Sequence, residues 1–121
     1  MANGRVLVID DEAFIRDLVC DFFASESITC DQAPSMDHAL KLLGENTYDL
    51  VLLDRNLETS REENAVGSLR RIQPGIAVVI LTGDHLFGED ALKRIAADGL
   101  IYKPFKIDEF MQSVQRFLEL E

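Results

Sequence analysis

Five short apolar runs, each cut off by polar residues, constrain the fold of this chain more than any other feature. Arg5-Val6-Leu7-Val8-Ile9 ends abruptly at Asp10-Asp11-Glu12. A weaker run over residues 28–33 follows, then a strongly apolar one over 48–53 that ends at Asp54. Residues 76–81 form a fourth, ending at Thr82-Gly83-Asp84, and Leu100-Ile101-Tyr102 a fifth, ending at Lys103-Pro104. Between the runs, apolar residues recur at three- and four-residue spacing, the signature of one helical face. Over 13–26 they are Phe14, Ile15, Leu18, Val19, Phe22 and Phe23. Ser35 is placed to cap a helix carrying Met36, Ala39, Leu40 and Leu43, with Gly44 as its expected stop. Shorter helices are expected through Leu69 and Ile72 and over 89–97, the latter broken at Gly99, before a closing helix from Ile107 to Leu118.

Strand and helix thus alternate five times. Over 6–9, 50–53 and 76–81 the first, third and fourth runs are apolar on both faces, as strands covered on both sides by helices must be. Right-handed crossovers turn this pattern into a doubly wound α/β sandwich with a parallel sheet. At 121 residues the chain fits one domain, expected over 1–121. No run approaches the ~18 apolar residues that span a bilayer, and the N-terminus lacks a signal-peptide layout, so the expected location is cytoplasmic. Cys20 and Cys30 lack C-x-x-C spacing and are expected to be reduced, small hydrophobes. The net charge of −10 argues against a nucleic-acid footprint and against an anionic membrane surface.

In doubly wound sheets, ligands sit at the carboxyl ends of the strands. Asp10, Asp11, Asp54, Thr82 and Lys103 all fall at such ends, and none interrupts an apolar run. Three converging carboxylates repel one another by several kcal/mol at a protein's effective dielectric, which raises a pKa or recruits a cation. Lys103 offsets one charge, not three. An all-oxygen site with open positions suits Mg²⁺. Asp54 is then placed as a nucleophile on phosphorus, with Thr82 and Lys103 meeting the developing phosphoryl charge and Gly83 allowing close backbone approach. Taken singly, an Asp after a strand is an ordinary helix cap and Lys-Pro an ordinary turn. Their joint placement on one rim is what points to chemistry.

The segments Val6-Leu7-Val8-Ile9-Asp10-Asp11-Glu12, Tyr48-Asp49-Leu50-Val51-Leu52-Leu53-Asp54, Ile80-Leu81-Thr82-Gly83 and Lys103-Pro104-Phe105 resemble the receiver domain of two-component response regulators, across essentially the whole chain. The resemblance implies a flavodoxin-like sheet of strand order 2-1-3-4-5. It implies Asp54 as phosphoacceptor, taking its phosphoryl group from a sensor histidine kinase or phosphotransfer protein, so that the domain catalyses only its own phosphorylation and dephosphorylation. Mg²⁺ would be held by Asp11 and Asp54 directly, by Asp10 largely through water and by the backbone carbonyl of Asn56. Thr82 and Lys103 would contact the phosphoryl group, the Lys103–Pro104 bond would be cis, and the fourth helix, fifth strand and fifth helix (about residues 89–120) would face a downstream partner or output domain.

Three positions depart from the family pattern. The loop after Asp54 reads Asn56-Leu57-Glu58-Thr59-Ser60-Arg61-Glu62-Glu63-Asn64, without the usual Pro and Gly and about three residues long for the family, so greater mobility is expected. Its Glu58, Glu62 and Glu63 are expected to be solvated. Leu100 stands where the family carries a switch aromatic, and Tyr102, two residues on, shares its side of the strand. Asp84, two residues after Thr82, can orient or repel water. His38 is expected to face solvent and His85 to lie on the rim without being a ligand. Two rival readings are a pseudo-receiver that binds partners without phosphate, and an aspartyl-phosphate phosphohydrolase. The second wants Asp-x-Asp on its first strand, where this chain has adjacent Asp10-Asp11; nucleotide hydrolysis lacks its Gly-x-x-x-x-Gly-Lys loop.

Overall fold

The computed structural model describes residues 4–58 and 62–118, with side chains at all of these except 57, 58 and 62–64. The strands are β1 (Arg5–Ile9), β2 (Thr29–Ala33), β3 (Leu50–Asp54), β4 (Ala77–Thr82) and β5 (Gly99–Tyr102). The helices are α1 (Ala13–Ala24), α2 (Met36–Glu45), α3 (Glu62–Ile72), α4 (Glu89–Arg94) and α5 (Ile107–Leu118), and a 3₁₀ turn, Arg55–Glu58, follows β3. All pairings are parallel, in the order β2-β1-β3-β4-β5, as the resemblance implied.

Period-two alternation divides the apolar runs between two cores. Leu7, Ile9, Val51, Leu53, Val78 and Ile80 face α2, α3 and α4. Val6, Val8, Leu50, Leu52, Val79 and Leu81 face α1 and α5, where Phe22, Phe23, Phe105 and Phe110 pack edge-on or tilted. Burial on both faces explains why β3 and β4 carry no polar side chain before their last residue, and β1 none after Arg5.

Three expectations are corrected. Gly44 does not stop α2; the helix runs to Glu45, and Asn46 closes it by bonding the Leu42 carbonyl through both its backbone N–H and its side-chain amide. Ser35 does cap its start, accepting the His38 N–H at 3.2 Å. Gly99 is not the break after α4: Ala96, at φ 60°, turns the chain there, and Gly99 opens β5. A Cβ on Gly99 would lie 3.2 Å from Val79 Cγ2, so glycine permits close packing on β4. Thirdly, Cys20 and Cys30 are not separate thiols. The α1-to-β2 connection returns antiparallel to the helix and sets their Cα atoms 5.3 Å apart, joined as a disulfide.

A 3₁₀ turn occupies the start of the loop after Asp54, and α3 begins at Glu62. Residues 59–61 and the side chains of Glu58, Glu62 and Glu63 lie outside the described residues.

Candidate functional site

Register fixes the rim. Ile9 pairs with Leu53, Asp54 with Leu81, and Thr82 with Tyr102, so consecutive strands end at nearly the same level. Asp10, Asp54 and Thr82 are the buried polar residues there, and Asp11 is exposed. One carboxylate oxygen from each of Asp10, Asp11 and Asp54 lies within 4.8 Å of the others. The three acids that the sequence placed at strand ends therefore converge.

Asp10 and Asp54 are held by local bonds. Asp10 Oδ1 accepts the Glu12 N–H at 2.9 Å, and the Asp10 carbonyl accepts Arg16 Nη1 at 2.8 Å, fixing the first turn of α1. Asp54 Oδ1 accepts the Asn56 N–H at 3.2 Å, which seats the 3₁₀ turn beside the carboxylate. Lys103 enters from the end of β5: its backbone N–H donates to the Thr82 carbonyl at 2.7 Å, and its Nζ reaches Asp10 Oδ2 at 2.9 Å and Asp54 Oδ1 at 3.6 Å. The Lys103–Pro104 bond is cis, as expected. Glu12, also 3.6 Å from Lys103 Nζ, is a partner that the sequence reading missed, although it directly follows the acidic pair.

The charges do not balance. Burial raises the Asp54 carboxyl above the usual carboxylate range, and Asp10 and Asp11 add to that against the opposing pull of Lys103 and the Asn56 N–H. Burial alone would lower the Lys103 ammonium, but the Asp10 hydrogen bond and the charges of Asp54, Asp10 and Glu12 raise it overall. A cavity with converging oxygens and one ammonium is thus under-compensated, and the donor set fits a hard divalent cation such as Mg²⁺. Asn56 follows Asp54 by two residues, within the 3₁₀ turn.

Thr82 is fully buried, and its Oγ1 accepts the Asp84 N–H at 3.0 Å, which leaves the hydroxyl proton for another acceptor. Gly83 is exposed, and a Cβ there would meet nothing within 4 Å. Leu100 packs against the α2–α3–α4 core. Tyr102 is half-buried; its hydroxyl donates to the Phe87 carbonyl at 2.6 Å, and its ring stacks on His85 at 4.8 Å between centroids. His85 is thereby accounted for as a stacking partner, and His38 is exposed on α2. The sequence reading also missed Arg55, whose guanidinium reaches the Asp84 carboxylate at 3.6 Å and lies over the Phe87 ring.

Residues 6–115 match the family described as "Response regulator receiver domain". Sporulation initiation phosphotransferase F of Bacillus subtilis is 30% identical, covering 100% of this chain and 98% of its own length. The structure of NtrX from Brucella abortus superposes with a TM-score of 0.86 at 33% identity, over 98% of this chain and 27% of that longer one. The receiver domain of sensor histidine kinase PA1611 from Pseudomonas aeruginosa, solved with a magnesium ion coordinated in its active site cleft, superposes with a TM-score of 0.83 at 20% identity, over 98% of this chain and 100% of that one, and so speaks for the fold. A match over most of the sequence, on a sheet of the same design, shows that this chain belongs to the response regulator receiver domain family.

Proposed function

We propose that Asp54 accepts a phosphoryl group from a histidine kinase or phosphotransfer protein, and that its phosphorylation state is read by a protein partner or output domain. The observation that carries this reading is the convergence of Asp10, Asp11 and Asp54 within 4.8 Å, bridged by Lys103. Asp11 and Asp54, with the Asn56 carbonyl and with Asp10 through water, are the residues that would hold Mg²⁺. When bound, that ion neutralises charge on the phosphoryl oxygens and so permits one anion to approach another. An Asp54 carboxylate oxygen attacks phosphorus as the bond from phosphorus to the donor breaks, and the donor keeps that electron pair. The Lys103 ammonium and the Thr82 hydroxyl proton are placed to meet the transferred group. Burial of Asp54 helps: water has little access to the carboxylate before transfer.

Catalysis in this reading is confined to the domain's own phosphorylation and dephosphorylation, in the cytoplasm, with the whole of residues 1–121 acting as one domain. The surface made by α4, β5 and α5 is the proposed partner face, because Thr82 and Lys103 lie at the ends of the strands that border it. Incubation with Mg²⁺ and acetyl phosphate, followed by intact mass measurement, tests the phosphoacceptor. A gain of one phosphoryl group, absent in Asp54→Asn, is the expected result. A folded protein that gains no mass would falsify the reading and favour a phosphate-independent binding module.

A further inference from the structure

The three acids of the rim are not equally secured. Asp10 extends the β1–β2 ladder, its N–H donating to the Ala33 carbonyl at 3.1 Å, whereas Asp11 lies beyond it and is exposed. The Asp11 carboxylate has no hydrogen-bond or ion-pair partner among the described residues, although one of its oxygens is within 4.8 Å of oxygens from both other acids. Its place in the cluster therefore depends on the backbone that carries it. Two peptide groups flank Asp11. The second is held from within the turn, where the Glu12 N–H donates to Asp10 Oδ1 at 2.9 Å. The first, joining Asp10 to Asp11, is held from outside: its carbonyl accepts Arg16 Nη1 at 2.8 Å.

Arg16, half-buried on α1, is itself braced. Its Nε donates to Gln32 Oε1 at 3.0 Å, and Gln32 Nε2 donates to Asp17 Oδ1, also at 3.0 Å, which sets the amide's orientation. Gln32 lies on β2, the edge strand beside β1. One guanidinium thus ties the Asp10 carbonyl to the neighbouring strand, through two donors of a rigid planar fork. Charge compensation does not explain the arrangement. Both acceptors are neutral carbonyl oxygens, and a positive charge beside the rim opposes a divalent cation. What the two bonds resist is rotation of the Asp10–Asp11 peptide, which would swing the Asp11 carboxylate away from Asp10 and Asp54.

We infer that Arg16, braced by Gln32, is a positioning residue that fixes the Asp10–Asp11 peptide, and through it the Asp11 carboxylate, and so sets the affinity of the rim for Mg²⁺. This inference rests on the reading of the three acids as a Mg²⁺ site.

The test compares wild type with Arg16→Ala, Arg16→Met, Gln32→Ala, Arg16→Ala/Gln32→Ala and Arg5→Ala. Mg²⁺ binding is measured by isothermal titration calorimetry and by the rise in melting temperature with added Mg²⁺, and circular dichroism confirms that each variant is folded. Arg16→Ala should bind Mg²⁺ about tenfold more weakly, the low end of what removing an outer-shell partner of a metal site costs. Arg16→Met, which keeps an aliphatic stem and serves if the alanine variant fails to fold, should do the same. Gln32→Ala, which leaves Arg16 unbraced, should weaken binding by less, and the double variant should bind no more weakly than Arg16→Ala alone. Arg5→Ala cuts a different tie between β1 and β2, to Asp31 at 3.0 Å, at the opposite end of β1. It should lower the melting temperature without cation and leave Mg²⁺ affinity unchanged, as a merely structural role for Arg16 would also do. Loss of a positive charge by itself would tighten binding, so weaker binding reports position. Unchanged or tighter binding in folded Arg16→Ala or Arg16→Met overturns the inference, as does an equal loss in Arg5→Ala or an additive loss in the double variant. A wild type that shows neither a heat of binding nor a melting shift overturns the Mg²⁺-site reading itself, and this inference with it.

Discussion

The acidic rim at the ends of β1 and β3 and the turn after β4 share one edge of the sheet, yet they are secured by different means. Asp10 and Asp54 are placed by strand register and burial, and Lys103 by a backbone bond between adjacent strand ends. The β4–α4 turn is half outside the core and is held by side chains reaching across: Arg55 from the 3₁₀ turn after β3 and Tyr102 from β5. Backbone topology therefore sets where the chemistry happens, while pairwise side-chain contacts set how the neighbouring turn behaves. The rim should be costly to disturb and sensitive to charge, and the turn cheap to disturb and tolerant.

Lys103→Met is expected to have the largest effect on stability, because it leaves the fully buried Asp10 facing Asp54 with no ammonium between them. Breaking a buried pair by removing one partner costs about 3–5 kcal/mol. Urea unfolding at neutral pH without divalent cation should show that loss. A cost under about 1 kcal/mol would mean that the rim is more solvated than its burial indicates. Next in size is the cation itself. Magnesium that binds only the folded chain stabilises it by about 2.7 kcal/mol at one hundred times its dissociation constant. The melting temperature should rise with added Mg²⁺, and Asp11→Asn should blunt that rise.

The same contrast explains what could be read in advance. The α/β fold class and the five rim residues were legible, because two-faced burial leaves apolar runs and the runs end where the site begins; the strand order came only with the family resemblance. The Ser35 cap was legible for a similar reason, since capping is local. Arg55, Glu12 and the Cys20–Cys30 disulfide were not. Each depends on a partner brought near only by the fold, at separations that carry no period: Arg55 meets Asp84, and Cys20 meets Cys30 across the α1–β2 return. The two glycine punctuation marks failed through the opposite error. Gly44 and Gly99 were read as breaks from residue type alone, although a helix tolerates the first and close packing on Val79 favours the second.

A smaller effect follows from the charge state of Asp54. Its carboxyl is raised in the folded chain, chiefly by burial and then by Asp10. The protonated form is therefore favoured on folding; its stabilising contribution is fully present below the ordinary carboxylate value and is lost as pH rises through the raised one. Without divalent cation, Asp54→Asn should melt a few degrees higher than the wild type at neutral pH, and the gap should close on acidification towards pH 4. Equal melting at neutral pH would show that Lys103 already compensates Asp54.

Tyr102→Phe should have the least effect, and it separates the two regions most cleanly. The substitution removes one hydroxyl that donates to the Phe87 carbonyl while keeping a ring able to stack on His85. A neutral hydrogen bond of this kind contributes about 1 kcal/mol, and the partner carbonyl, on a turn near solvent, can recruit water in its place. Stability should fall by about that much or less, and phosphoryl uptake from acetyl phosphate should be unchanged, because Tyr102 contacts none of the rim acids. Amide hydrogen exchange should then quicken over residues 83–88 and not over β1 or β3. If uptake fell severalfold instead, the turn and the rim would have to be one unit, and placement by register alone would no longer account for the site.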